Sequence, residues 1–418
     1  MKRVAAVLCT ALGAVWTVNG YRPLSGRTIP SIFAWLFGLL ASELPLQTVA
    51  AQAGTLAVAS RGLSARQRTF AWLLSAASWM GLLRLHRVGR DANGPLTAAL
   101  DAGLGTARRT ASAGLWRAAP PGGATAKTPG LLRMMRIYRD YAHDADISYA
   151  EHGAKNLLDI WRRPDLDPAG RAPVLLQVPG GAWASGNKRG QAHPLMSHLA
   201  ELGWVCVAIN YRLSPKATWP DHIIDVKRAI AWIKAHIAEY GGDPDFVAIT
   251  GGSAGGHLSS LAALTANDPA FQPGFADADT RLQAAIPFYG VYDFTRTDDN
   301  ALNPAMVPFL EKLVIKQSRA DRPQSFASAS SITYASPDAP PFFVLHGRND
   351  SFIPVTQARG FVTRLREVSN QPVVYAELPC AQHAFDTFGS ARAAQAAVAV
   401  EQFLAEIYTR RYPRHTSV

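Results

Sequence analysis

The chain has 418 residues, 48% of them hydrophobic and only 17% charged, which excludes a disordered polymer and a small disulfide-stapled module. Its three cysteines, Cys9, Cys206 and Cys380, are too few and too scattered for a disulfide framework or a structural zinc site. The formal net charge of +11 suggests nucleic-acid binding until it is located: residues 1–145 hold 17 Lys and Arg against 5 Asp and Glu, and residues 146–418 hold 25 against 26.

The basic part carries three apolar stretches bracketed by cationic residues. They are Val4–Val18, Thr28–Ser60 with Glu43 and Pro45 inside it, and Thr69–Leu83. A bilayer-spanning helix needs about 20 apolar residues, so the first and third are short and the second is interrupted. Residues 1–125 are expected to form a helical, apolar and basic extension. Trp16, Trp35, Trp72 and Trp79, with Arg61, Arg66 and Arg68, suit the headgroup level of a membrane. Membrane association is preferred here over amphipathic helices packing on the main domain. No nucleic-acid role is expected, because the arginines are dispersed among apolar runs with no binding fold around them. A basic start before an apolar run also fits a secretory signal, but no small-x-small site follows Val18, so a cleaved signal is not favoured. The expected location is membrane-associated or cytoplasmic. Residues 117–130 have linker composition, and 126–145 are expected to be a linker or entry helix.

From Asp146 to the end the pattern becomes alternating strands and helices. Strands are predicted at Leu157–Trp161, Ala172–Val178, Trp204–Ile209, Phe246–Thr250, Ala284–Phe288, Phe342–His346 and Val373–Leu378. Helices are predicted at His193–Leu202, Asp221–Tyr240, Ala254–Leu264, Val355–Val368 and Arg392–Tyr408. Buried runs alternating with helices imply a mostly parallel sheet covered on both faces, a single α/β domain over 146–418.

Between the strand ending at Thr250 and the helix starting at Ala254 stands Gly251-Gly252-Ser253-Ala254-Gly255. A G-x-S-x-G between a strand and a helix is the nucleophile elbow of α/β-hydrolases, a sharp turn that exposes the serine hydroxyl. Serine needs a base to take its proton and an acid to orient that base. Asp350 follows the strand Phe342–His346 and His383 follows the strand Val373–Leu378, both in loops at the carboxyl edge of the sheet. His257 is expected to pack, His346 to tie its own loop together, and Asp386 to lie too close to His383 to orient it. Cys–His chemistry at Cys380 is a minor alternative beside the serine motif.

At these residues a family resemblance enters. Val178-Pro179-Gly180-Gly181-Ala182-Trp183 resembles the H-G-G-x-W segment of the hormone-sensitive-lipase-like and arylformamidase-like α/β-hydrolases. Asn210-Tyr211-Arg212-Leu213-Ser214-Pro215 and Gly242-Asp243-Pro244 look like that group's turns, and the likeness runs from about Ala172 to Phe403. Within it the chain is most similar to mycobacterial-type carboxylesterases and lipases with an apolar N-terminal extension. The resemblance implies Ser253, Asp350 and His383 as the triad. It also implies the backbone N–H groups of Gly181, Ala182 and Ala254 as the oxyanion hole. The family's leading histidine is Pro179 here, which leaves open what holds this loop.

The function expected is a serine carboxylesterase or lipase acting on short- to medium-chain acyl esters, with no metal or organic cofactor and a small-molecule or lipid ester as substrate. The alternatives are an arylformamidase-like amidase and a non-catalytic hydrolase fold that binds a ligand. Trp183 is expected to pack near the loop, and the stretch Asp293–Tyr334 to be either a helical excursion or part of a lid.

Overall fold

The computed structural model describes residues 2–24, 30–106, 141–296, 302–304 and 306–413. Eight strands form one sheet: β1 (Ala142–Ser148), β2 (Leu157–Arg162), β3 (Ala172–Val178), β4 (Val205–Ile209), β5 (Gly242–Gly252), β6 (Ala284–Phe288), β7 (Phe342–Gly347) and β8 (Val373–Leu378). Their spatial order is β1-β2-β4-β3-β5-β6-β7-β8. β1 and β2 run antiparallel at one edge, and every pairing from β4 to β8 is parallel. In β3, β4 and β6 every residue is buried, as unbroken apolar runs require when helices cover both faces.

The helices are α1 (Lys2–Tyr21), α2 (Pro30–Glu43), α3 (Pro45–Ala59), α4 (Ala65–Arg90), α5 (Asn93–Leu104) and α6 (His193–Glu201), followed by α7 (Asp221–His236) and α8 (Ala254–Leu264). After them come α9 (Met306–Phe309), α10 (Pro323–Ala329), α11 (Val355–Val368) and α12 (Ala391–Arg411). One core lies under α7, α8 and α11, with Ile230, Leu258 and Phe361 fully buried in it. The other lies under α5, α6 and α12, around Leu96, Leu199 and Phe403. Met306, Leu310 and Val314, from the stretch weighed as an excursion or a lid, are buried in the first core.

Two elements carried no clear sequence signal. β1 is an edge strand without a period-2 apolar pattern, and it pairs Ala142 with Arg162 of β2. α5 belongs to the basic N-terminal part, yet its Leu96 and Leu100 pack in the second core and its Gly103 lies against Val374 of β8. Residues 126–140 of the expected linker lie outside the described residues.

The helices α1–α4 gather at the sheet edge where β7 and β8 end. α2 and α3 meet at a bend of 106° at Leu44-Pro45, where proline cannot donate the next helical bond. Glu43, the only charge in the second apolar stretch, is buried against Arg392 of α12, and Ser390 donates to it at 2.7 Å. A charge so deeply buried must be paired, which ties the end of α2 to the start of α12.

Candidate active site

Strand β5 ends at Gly252 and α8 begins at Ala254, so Ser253 alone makes the turn, with φ 58° and ψ −120°. That conformation is costly for a residue with a side chain and persists because its surroundings impose it. The Ser253 N–H donates to the Phe288 carbonyl at 3.0 Å, and a Cβ on Gly255 would overlap the Val178 carbonyl oxygen. Only glycine lets α8 start that close to β3.

Asp350 and His383 meet in the loops after β7 and β8. His383 Nδ1 donates to Asp350 Oδ2 at 2.7 Å, and both side chains are almost wholly buried. The other carboxylate oxygen accepts from the N–H groups of Phe352 (2.9 Å) and Ile353 (2.7 Å), and His346 Nε2 lies 3.3 Å from Oδ2. Burial by itself would raise the Asp350 carboxyl, but the imidazoles of His383 and His346 outweigh it and hold it down at about 2. The two loops are stitched by Gln382, whose side-chain oxygen accepts from the N–H groups of Ser351 (2.7 Å) and His383 (2.9 Å).

Tyr289 lies between this pair and the elbow that carries Ser253. The Tyr289 ring is 4.7 Å from the His383 ring and also presses on Gly252, and its hydroxyl donates to Asp386. Among the described residues the Ser253 hydroxyl makes no hydrogen bond to His383, a contact that hydrolases often close only around substrate. Asp386 is thus engaged by Tyr289 and does not touch the His383 ring nitrogens. His346 Nε2 also donates to the Ile353 carbonyl at 3.0 Å and ties its own loop, as expected. His257 packs: its Nδ1 accepts from the Trp183 indole at 3.0 Å and its Nε2 donates to the Ala329 carbonyl at 2.6 Å. Cys380 lies in the turn between β8 and His383 and makes no ion pair among the described residues.

The loop Pro179–Ala182 approaches Ser253 from the end of β3. Gly181, Ala182 and Trp183 all have positive φ (127°, 51° and 58°), which curls the backbone so that successive N–H groups converge. Among the described residues the N–H groups of Gly181 and Ala182 donate to no protein acceptor. The Ala254 N–H heads α8, where helical N–H groups are unpaired and the helix dipole is positive.

What holds this loop in place of a histidine is four residues from elsewhere, Gln191, Tyr211, Ser214 and His257. The Gln191 amide accepts from the Gly180 N–H at 2.7 Å and donates to the Gly180 carbonyl at 3.2 Å, clamping that residue through the two peptide units that flank it. The Tyr211 hydroxyl donates to the Pro179 carbonyl at 3.0 Å. The Ser214 N–H donates to the Trp183 carbonyl at 2.8 Å, and the Trp183 indole is anchored on His257. Tyr211 and Ser214 sit in the motif at 210–215 and were visible there. Gln191 carried no signal, being 11 positions from its partner in an irregular segment.

Residues from the N-terminal helices also reach the site. The Trp35 indole donates to the His383 carbonyl at 2.9 Å and leans on Phe352, whose ring is 5.4 Å from the His383 ring. Asn349, next to Asp350, donates to the carbonyls of Gly20 and Tyr21 at 3.0 Å each. Among the described residues no group of three or more His, Cys, Asp or Glu is placed to hold a metal ion.

A mostly parallel eight-stranded sheet, helices on both faces and a serine on a strand–helix elbow define an α/β-hydrolase. The comparisons carry this further. The BD-FAE family model matches residues 158–365. The chain is 66% identical to the probable carboxylic ester hydrolase LipM of Mycobacterium tuberculosis, across 99% of this chain and 95% of that protein. It is 48% identical to the esterase LipQ of the same organism, across 92% of this chain and 87% of that one. The apo form of Thermogutta terrifontis esterase 2 shares the fold, with a TM-score of 0.54 at 24% identity over 64% of this chain and 95% of that one. The chain belongs to the hormone-sensitive-lipase-like carboxylic ester hydrolases.

Proposed function

We propose that the chain hydrolyses short- to medium-chain acyl esters through an acyl-enzyme on Ser253. The Ser253 hydroxyl attacks the ester carbonyl carbon while His383 takes its proton, and His383 then gives that proton to the departing alcohol. Water repeats the sequence, attacking the acyl carbon with His383 again as the base, and releases the acid and the free serine. Asp350 fixes the imidazole through Nδ1 and stabilises its charged form. The N–H groups of Gly181, Ala182 and Ala254 receive the oxygen that becomes negative, a role in which one donor is typically worth about 3 kcal/mol.

The observation that supports this reading best is the buried His383–Asp350 pair at 2.7 Å, beside an elbow that keeps Ser253 in a strained turn. The test is labelling by a fluorophosphonate together with turnover of p-nitrophenyl butyrate. The wild-type chain is expected to label and to cleave the ester, and Ser253→Ala to lose labelling and about 10⁴- to 10⁶-fold in kcat. Turnover of N-formylkynurenine without ester cleavage would move the assignment to an amidase. Absence of labelling in the wild-type chain would leave a ligand-binding fold.

A further inference from the structure

Helices α1, α2 and α4 turn most of their large apolar side chains outward. A helix on a water-soluble protein buries its large apolar side chains and turns small and polar ones to solvent. In α1 the buried residues are Thr10, Gly13, Thr17, Asn19 and Gly20, whereas Val7, Leu8, Leu12, Val15 and Val18 stand exposed. In α4 the buried line is Ala71, Ser75, Ser78, Leu82, Leu85 and Gly89, and Phe70, Leu73, Leu74, Met80 and Leu83 face out. α2 repeats the arrangement, with Ser31, Ala34, Gly38, Ala41 and Ser42 inward beside a single buried leucine, Leu39, and Ile32, Phe33, Leu36 and Phe37 outward. Every large hydrophobic side chain exposed among the described residues lies between Val7 and Leu83, and the α/β body contributes none.

The contacts between these helices are those of helices that meet in hydrocarbon, where close approach and polar bonds replace a hydrophobic driving force. The hydroxyls of Thr17 and Ser78 are bonded at 2.6 Å, and Ser78 lies 3.1 Å from the Gly13 carbonyl. The Tyr21 hydroxyl donates to the Gly81 carbonyl at 2.6 Å, and Asn19 donates to the Ala34 carbonyl at 2.7 Å. A Cβ on Gly81 would stand 2.7 Å from Thr17, so α1 and α4 cross at the distance only a missing side chain allows.

The surroundings identify what covers the apolar face. Between α1 and α4 an apolar groove of about 710 Å³ is lined by Val7, Ala11, Phe70, Leu73 and Leu74, with Arg66 on it. Arg66, Arg68, Arg84 and Arg87 are exposed on α4, and Arg22 and Arg61 in the turns that follow α1 and α3. The acidic side chains described between residues 7 and 104 are Glu43, Asp91 and Asp101, and Glu43 is buried against Arg392. Apolar surface edged by arginine and nearly free of carboxylate matches the boundary between acyl chains and anionic headgroups. Among the described residues no single helix is long and apolar enough to cross a membrane, and α2 and α3 reach that length only as a pair bent by 106°, a geometry that suits a face lying in one leaflet.

We propose that α1–α4 form an in-plane docking face for an anionic bilayer, and that α2 sets the site beside the lipid so that the substrate is a bilayer-resident acyl ester. The second half rests on the ester-hydrolase assignment above. Its geometric basis is α2 itself: Trp35 holds the His383 carbonyl, while Ile32, Phe33 and Leu36 of the same helix are exposed. Only the width of one helix, about 10–12 Å, separates the histidine loop from the apolar face.

The test is flotation of the full chain with vesicles of phosphatidylcholine, with and without phosphatidylglycerol. A medium-chain diacylglycerol embedded in the vesicles and water-soluble p-nitrophenyl acetate supply two activity readouts. The wild-type chain is expected to float with the phosphatidylglycerol vesicles, at least tenfold more weakly with phosphatidylcholine alone, and less at high salt. The Phe70→Asp/Leu73→Asp variant, with its fold checked by circular dichroism, is expected to lose at least tenfold in flotation and in hydrolysis of the embedded ester. No flotation of the wild-type chain, or flotation that ignores the variant, overturns the docking face. So does a dimer in sedimentation that the variant dissolves without any vesicle binding, which assigns the face to a second copy. Flotation lost with hydrolysis of the embedded ester intact overturns the substrate half. Flotation without cleavage of either ester leaves the docking face standing and refutes the ester-site assignment instead.

Discussion

Gln191 and Tyr211 do for the loop after β3 what its proline cannot, because Pro179 offers only a carbonyl while Gly180 offers both an N–H and a carbonyl. Removing the amide of Gln191 leaves the Gly180 N–H buried without an acceptor, a loss of about 1–3 kcal/mol. Gln191→Ala is therefore expected to lower kcat for p-nitrophenyl butyrate by about 5- to 150-fold, with KM changed much less, because a slack loop misplaces donors used mainly in the transition state. Tyr211→Phe, which keeps the ring and loses one hydroxyl, is expected to cost about tenfold or less. An unchanged kcat in both would show that the loop is held by the chain's own turn. The residue types at Ser253, Asp350 and His383 were legible because each follows a strand end recognisable in isolation. Gln191 was not, because nothing local marks a glutamine that bonds across a loop.

At the scale of elements, α2 and α5 bind the N-terminal part to the α/β body by different physics. α5 inserts Leu96 and Leu100 into the second core, whereas α2 relies on the Glu43–Arg392 ion pair and the Trp35 indole. Removing one partner of a buried pair leaves an uncompensated charge and costs about 3–5 kcal/mol. Glu43→Ala and Arg392→Ala are each expected to lower unfolding free energy in urea by about that amount. The double change to Glu43→Leu and Arg392→Met should cost clearly less than the two losses added together, since two apolar chains leave no stranded charge. Additive losses would mean that the pair contributes nothing as a pair. The strand and helix ends of the α/β body were readable to within a few residues, with Ala172–Val178, Ala254–Leu264 and Val355–Val368 as predicted. α5 was missed because Leu96, Ala99 and Leu100 make too short a stripe to stand out beside Gly94 and Pro95.

For the molecule as a whole, acid stability depends on histidines that the site does not use. Burial pushes the imidazoles of His222 and His257 down to about 4. In the unfolded chain they titrate near 6.5, so between about pH 6.5 and 4 the unfolded state binds more protons and stability falls as pH falls. The urea midpoint is expected to drop on acidification through that window, and His257→Gln, which keeps a donor and an acceptor, to flatten the drop while lowering the midpoint at pH 7. A midpoint independent of pH between 6.5 and 4 would contradict this. The amino-acid sequence by itself determined the alternating α/β layout, the elbow at Ser253 and the placing of Asp350 and His383 in loops after two strands, because strand runs, glycine turns and helix periods are local patterns. It also located the excess charge in the first third. Only the tertiary structure decided which side of α1, α2 and α4 faces the protein, since an apolar helix of mixed small and large residues has no preferred inside until its neighbours are present. The same holds for Trp35 against His383, 348 positions away, and for the clamp on Gly180. Contacts across such separations are set by how packed layers close on one another, and no window of sequence contains both partners.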